Sequence, residues 1–216
     1  QKDQLEKRGY FFTDANPYFY ALRSNAGLAS VTTGSTIVTL QGGTFPTTIK
    51  GAVSTPVNDR FRVDSDGLYY AVKSRDSDTQ ITLQSPFAGA PTPPGGAAYT
   101  IIGDAVKNWL TTSGQAPFAL PDSDATGATS GKNNMGAAFN FNLFKHDPGA
   151  YAHNRYYVKR LLYDSIDWLD DNQLNFSVGT TLTAVCGVAQ PPAFCDKAKT
   201  YLLPNGVING VAAERP

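Results

Sequence analysis

The chain has 216 residues, enough for one large domain or two small ones. Lys+Arg 18 against Asp+Glu 18 give a formal net charge of +0, so no field of one sign exists to hold a nucleic acid, and a barrier to self-association is missing. No apolar run approaches the roughly 18 residues of a membrane helix, and no charged-then-apolar secretion signal opens the chain.

The first ten residues, "QKDQLEKRGY", read as a helix already under way, from which an upstream segment that was removed or belongs to something else is inferred. The text then turns aromatic, "GYFFTDANPYFYALRS". With Pro17 in it this stretch is not a long helix. It is either a core strand or loop, or an apolar surface that pairs with another subunit.

Residues 26–103 are strand-like. "STIVTL", "DRFRVD", "LYYAVKS", "TQITLQS" and "AAYTII" are short β-branched or aromatic runs separated by the turn residues "QGG", "DSDG", "RDSD" and "APTPPGG". Phe61 and Val63 alternate with polar neighbours, as do Leu68, Tyr70 and Val72. That period of two describes strands with one buried face. Five or six such strands in so short a span suggest a small barrel or sandwich.

From Asp104 the pattern becomes helical. Asp104 is placed to cap a helix "AVKNWLTT", and a loop rich in Gly, Ser, Asp and Pro follows over about 113–130. "NNMGAAFNFNLFKH" reads as a helix. Asp147 and Pro148 then read as N-cap and first residue of another helix running to about Asp171. Tyr151, Val158, Leu161, Leu162, Ile166 and Leu169 recur at spacings that bury one face of it. "SVGTTLTAV" looks strand-like, "PPAFCDKAKTYLL" helical, and the tail "VINGVAAERP" has weak strand character and no clear structure. No repeat of 20–50 residues is visible.

Residues 133–172, "NNMGAAFNFNLFKHDPGAYAHNRYYVKRLLYDSIDWLDDN", resemble the C-terminal region of large multihaem c-type cytochromes from metal-reducing bacteria. In that family a segment like "LEKRGYFFTDANPYFY" (5–20) precedes a stretch such as "VKNWL", and the chain ends near "RP", as at Arg215-Pro216. The resemblance covers roughly 5–20 and 104–216. The strand-rich segment between is similar to small β domains of phage virion proteins. Those cytochromes carry many C-x-x-C-H haem attachment motifs; this sequence has none. The resemblance therefore implies the haem-free end of such a protein, as a proteolytic product or as a paralogue that lost its haems.

The chain's two histidines, His146 and His153, lie in "HDPGAYAHN". Neutral imidazoles ligate iron or zinc. The other reading, preferred here, is structural: His146 ends one helix, where an imidazolium suits the dipole, and His153 bonds inside the first turn of the next. Asp164, Asp167, Asp170 and Asp171 cluster near a helix C-terminus, where the dipole disfavours them. Calcium is one compensation and a solvated, ion-paired face the preferred one. The Asp-rich turns "VDSDG" (63–67) and "PDSDATG" (121–127) are read as Asp stabilising its own turn, with calcium as the alternative. Cys186 and Cys195, in "CGVAQPPAFC", have neither zinc nor thioredoxin spacing and are read as a disulfide of an oxidising compartment, against two free thiols of a cytosolic protein. No G-x-S-x-G or other catalytic set is present.

The expected fold is α+β: a small antiparallel β barrel or sandwich, 26–103, inserted into a helical, loop-rich host, 1–25 and 104–216. The expected function is a non-enzymatic extracellular or outer-surface structural or assembly subunit, filament-forming in one version, allied to multihaem cytochrome electron transfer. It would carry no cofactor of its own, with haem on a partner chain. Its partners would be further copies of itself and a multihaem cytochrome polypeptide, with no nucleic acid and no membrane span. The alternatives are an electron-transfer component lending His146 or His153 to a partner's haem, and a surface- or carbohydrate-binding module.

Overall fold

The computed structural model describes residues 1–51, 58–108, 116–118 and 128–216, with the side chains of residues 108, 116, 117, 128–130, 151 and 153 outside that description. The described residues divide into two compact units, one of strands within Gly9–Lys107 and one of helices drawn from Gln1–Arg8 and Pro117–Pro216.

The strand unit contains β1 (Tyr10–Phe12), β2 (Phe19–Ser24), β3 (Leu28–Ser30), β4 (Ile37–Gln41), β5 (Arg60–Val63), β6 (Tyr70–Arg75), β7 (Gln80–Leu83) and β8 (Tyr99–Asn108). They pair antiparallel in the order β1-β2-β8-β5-β6-β7-β4-β3, and a two-residue strand, β9 (Ala116–Pro117), also pairs with β8. Alternation explains the register. In β4, Val38 and Leu40 are buried while Ile37, Thr39 and Gln41 are exposed. Phe61 and Val63 of β5 face inward opposite Ile101 and Tyr99 of β8. Phe45 and Phe61 pack on the Tyr99 ring at centroid distances of 5.8 and 6.0 Å. Each such ring removes a large apolar area from water, so this layer carries much of the unit's stability.

The barrel or sandwich expected from the sequence is here an open path of strands. Its far edge is tied back by one isolated bridge, in which Ala29 and Ala97 exchange two amide bonds of 2.9 Å. The aromatic segment, grouped with the helical host by sequence, supplies β1 and β2, and Tyr10, Phe11, Phe12 and Phe19 are buried. Leu68 is exposed in a turn rather than facing the core, and its amide donates to Asp66 Oδ1 at 2.6 Å. No helix starts at Asp104: residues 104–108 continue β8, and residues 109–112 lie outside the described residues. The Asp104 carboxylate accepts from Lys50 Nζ at 3.1 Å and Arg23 Nη2 at 3.4 Å instead of capping, while Ala105 pairs with Tyr20 of β2. A neighbouring strand with unpaired backbone outweighs a local capping preference.

The helical unit contains α1 (Lys2–Lys7), α2 (Ala128–His146), α3 (Ala150–His153), α4 (Arg155–Asp171), α5 (Val178–Cys186) and α6 (Cys195–Leu202). Tyr163 and Ile166 of α4, Val178 and Leu182 of α5, and Leu202 and Leu203 at the end of α6 form its core. The helix expected from Pro148 to Asp171 is two helices, because Asn154 adopts an extended backbone (φ −156°, ψ 74°) between α3 and α4. "SVGTTLTAV", expected as a strand, is α5. Its four-residue spacing of Val178 and Leu182 meets the core, and that contact overrides the β propensity of its threonines and valines.

Arg8 closes the other end of α4. Its buried guanidinium donates from Nε to Leu169 O at 2.5 Å and from Nη2 to Trp168 O at 2.8 Å, carbonyls of the last turn, of which Trp168 O also accepts from the C-cap amide of Asn172 at 3.0 Å. Asn134 Oδ1 accepts from both Arg8 Nη1 and Trp168 Nε1, each at 3.0 Å, so α1, α2 and α4 meet in one buried polar network. No described helix is long and apolar enough to cross a membrane.

Candidate functional site

His146 sits exposed at the end of α2, with Nδ1 2.9 Å from Asn142 O in the preceding turn. That is the helix-end position expected of it. His153 is in α3, with its side chain outside the described residues. Asp147 does not cap the long helix. Its Oδ1 accepts from Gly149 N at 2.9 Å, which closes a local turn before α3, and α3 itself has no side-chain cap. The cap of α4 is Asn154, whose Oδ1 accepts from Tyr157 N at 3.2 Å. An Asn directly before the periodic run Tyr157, Val158, Leu161 is a usable start signal, and Asp-Pro seven residues earlier obscured it.

The four aspartates do not converge on one point. Asp164 is paired with Arg215, at 2.7 Å from Nε and 2.5 Å from Nη2, and this pairing raises the arginine's pKa. Asp167 is buried and accepts from Phe176 N (3.0 Å), Ser177 N (2.6 Å) and Ser177 Oγ (3.1 Å) at the entrance of α5. Asp170 accepts from Ser177 Oγ at 2.7 Å and from Thr181 Oγ1. Burial pushes its carboxyl above the usual aspartate range, against the pull of those two hydroxyls. Asp171 accepts from Gln173 N at 2.9 Å and Asn175 Nδ2 at 2.7 Å in the turn after α4. Among the described residues no group of three or more His, Cys, Asp or Glu is placed to hold a metal ion. In "VDSDG", Asp66 stabilises its own turn; "PDSDATG" lies outside the described residues.

Cys186 and Cys195 are joined in a disulfide that links the last residue of α5 to the first of α6. Both sulfurs belong to buried residues.

No local motif marks Glu214, which is completely buried. Its Oε1 accepts from Gly179 N at 2.7 Å and Tyr163 Oη at 3.2 Å, and its Oε2 from Asn209 N at 2.7 Å and Gly210 N at 2.6 Å. One carboxylate thus fastens the C-terminal segment to α4 and α5. Burial, and then the adjacent Glu214, holds the Tyr163 phenol protonated well above the ordinary tyrosine range. Gly179 is required by this approach: a Cβ there would lie 2.7 Å from Ile208 Cγ2 and 2.9 Å from Glu214 Oε1. Chemically these residues donate, accept and pack, and they present no nucleophile paired to a base.

No protein-family model matches the sequence, and no solved structure does. The chain is similar to C-type polyheme cytochromes of Geobacter sulfurreducens. It is 53% identical to OmcB over 72 residues, 33% of this chain and 10% of that protein. It is 32% identical to OmcC over 184 residues, 83% of this chain and 22% of that protein. The chain therefore spans less than a quarter of the length of these relatives. Covalent attachment of a c-type haem needs two thiols and an adjacent histidine. Here the two thiols are bonded to each other, and Gly187 and Asp196 follow them, so these residues do not fit such a haem.

Proposed function

We propose that this chain is a haem-free, non-enzymatic structural or assembly region allied to multihaem cytochrome electron transfer, at the outer cell surface or outside the cell. The observation that carries the reading is the similarity to a C-type polyheme cytochrome over 83% of the chain, in a sequence with no C-x-x-C-H motif. A disulfide and a carboxylate-fastened C-terminal segment support a stable, passive body, and the disulfide supports an oxidising compartment. In this reading the strand unit is an added module of the kind seen in phage virion proteins. Its role is contact, with other copies or with a cytochrome polypeptide, and filament formation is one form that contact takes.

The absorbance spectrum of the purified chain tests the central claim. The expected spectrum has no Soret band, and added polyheme cytochrome is retained by the immobilised chain. A Soret band in stoichiometric amount, abolished by His146→Ala or His153→Ala, would establish the rival reading of a histidine that ligates haem. Light scattering at micromolar concentration tests self-association. Only a 23.1 kDa species would remove it from the proposal.

A further inference from the structure

The N-terminal half of α4 and the exposed side of α6 line an open surface groove of about 770 Å³. Its walls are Arg155, Tyr156 and Lys159 from α4 and Lys197, Thr200 and Tyr201 from α6. The helical period places each trio on one face: 155, 156 and 159 on one helix, 197, 200 and 201 on the other. The opposite side of α6 turns Ala198 and Leu202 to the core.

The charge of this groove is unbalanced in a chain whose total is zero. Three cations line it against one carboxylate, Asp196. Among the described residues, none of Arg155, Lys159 and Lys197 has a carboxylate within 4.0 Å. The carboxylates of α4 nearest in sequence, Asp164, Asp167 and Asp170, are already held by Arg215, Ser177 and Thr181. What neighbours the cations instead is aromatic. The Arg155 guanidinium lies 4.9 Å from the Tyr156 ring centroid, and the Lys159 ammonium 5.4 Å from that of Tyr201. The rings hold the cations over the groove without neutralising them.

We infer that this groove binds a small organic anion in which a carboxylate or sulfonate is carried on a planar ring. The acid group meets Lys159, Lys197 and Arg155 in charge-assisted hydrogen bonds. The ring lies along the tyrosine faces and the lysine stems, which a bare inorganic anion would leave uncovered. The volume suits one such ligand and is small for a macromolecule. This site is independent of the reading proposed above, since it needs neither haem nor a second polypeptide.

Titration of the full chain with 2-naphthoate, followed by the ligand's fluorescence, tests the inference. The expected result is saturable binding of one ligand per chain. The double variant Lys159→Gln/Lys197→Gln should weaken it about tenfold or more, as loss of charge-assisted bonds does. Tyr201→Leu should weaken it several-fold. Because Tyr201 also packs against the core, the exposed Tyr156→Leu serves as a second ring variant. Lys73→Gln, on the strand unit, should leave binding unchanged. Absence of saturation, or equal binding by the double lysine variant, would overturn the proposal. So would sulfate binding as tightly as 2-naphthoate, which would mean charge alone, or neutral 2-naphthol doing so, which would mean apolar contact alone.

Discussion

Replacing Glu214 with Gln changes one oxygen to an amide and keeps the shape, which isolates what the second carboxylate oxygen does. The native carboxylate accepts four hydrogen bonds, two on each oxygen. Gln keeps one acceptor oxygen and must turn its NH2 toward one of the two donor pairs. Facing Tyr163 and Gly179, both buried, the amide would leave two donors without water. Facing Asn209 and Gly210, which belong to exposed residues, it leaves two donors that water reaches once the segment shifts. The second orientation wins. An orphaned buried donor costs ~1–3 kcal/mol, and access to water trims both losses, so Glu214→Gln should cost about 2 kcal/mol. Glu214→Ala removes all four acceptor contacts and opens a cavity, and should cost about 3–4 kcal/mol. Urea unfolding monitored by far-UV circular dichroism reads both values, with the slope expected to stay at wild type. Amide exchange should quicken at Asn209 and Gly210 in the Gln variant while Gly179 stays protected. A Glu214→Gln protein within about 0.5 kcal/mol of wild type, with unchanged exchange at Asn209 and Gly210, would refute the clamp.

Asn154→Ala should cost about 1 kcal/mol as the loss of the α4 cap, and Asp147→Ala distinctly less; equal or reversed costs in the same urea assay would show that the helix starts elsewhere. Reducing the Cys186–Cys195 bond closes no large loop's entropy, so it should cost only about 2–3 kcal/mol; intact-mass measurement should find the native chain two hydrogens lighter than the reduced one, and two alkylatable thiols in native protein would contradict the bond. Tyr163 has its pKa raised in the folded chain, so its contribution is fully present below the ordinary tyrosine value of about 10 and is lost as pH rises beyond it, because the unfolded chain releases that proton first. Urea midpoints between pH 8 and 11 should therefore fall less steeply in Tyr163→Phe than in wild type, and parallel curves would count against a buried neutral phenol. Gly179→Ala should destabilise by more than its gain in helix propensity, since its Cβ meets Ile208 and Glu214; a stabilised variant in thermal unfolding would show that the tail is not seated there.

Much of the strand unit was legible because a half-buried strand writes its environment every second residue. Phe61 and Val63 were placed inward from that alternation, and they are fully or almost fully buried. Leu68 obeyed the same arithmetic but lies beyond the strand's start, in a turn set by Asp66. The disulfide was legible from spacing and composition. Residues 104–108 were misread because Asp104 is a good cap and its real partners, Lys50 and Arg23, lie far away in sequence. Residues 178–186 were misread for the converse reason: valine and threonine favour strands locally, and only the contact with Tyr163, Ile166 and Leu202 selects the helix. Glu214 could not be picked out of "VAAERP" at all. Two of its donors, Tyr163 and Gly179, are 51 and 35 residues away, and the nearer two are backbone amides of Asn209 and Gly210, which carry no side-chain signature of their acceptor.

The aspartate cluster shows how a local anomaly can point to a long-range solution. Acidic residues at a helix C-terminus oppose its dipole, and α4 ends with Asp167, Asp170 and Asp171 and no basic residue in its last turn. Two features offset that cost. Arg8 brings a buried guanidinium to the terminal carbonyls of Trp168 and Leu169, supplying the positive charge that the last turn of α4 lacks. The chain then turns so that the start of α5 comes to Asp167, whose carboxylate takes the amides of Phe176 and Ser177 and the Ser177 hydroxyl. An anion unfavourable at the end of one helix is favourable at the beginning of the next. Asp164, one turn earlier, is neutralised by Arg215, the neighbour of Glu214. Occupying Asp167 with protein donors offsets the unfavourable dipole at the end of α4. It also orients α5, whose last residue carries the disulfide to α6, and α6 forms one wall of the cationic groove.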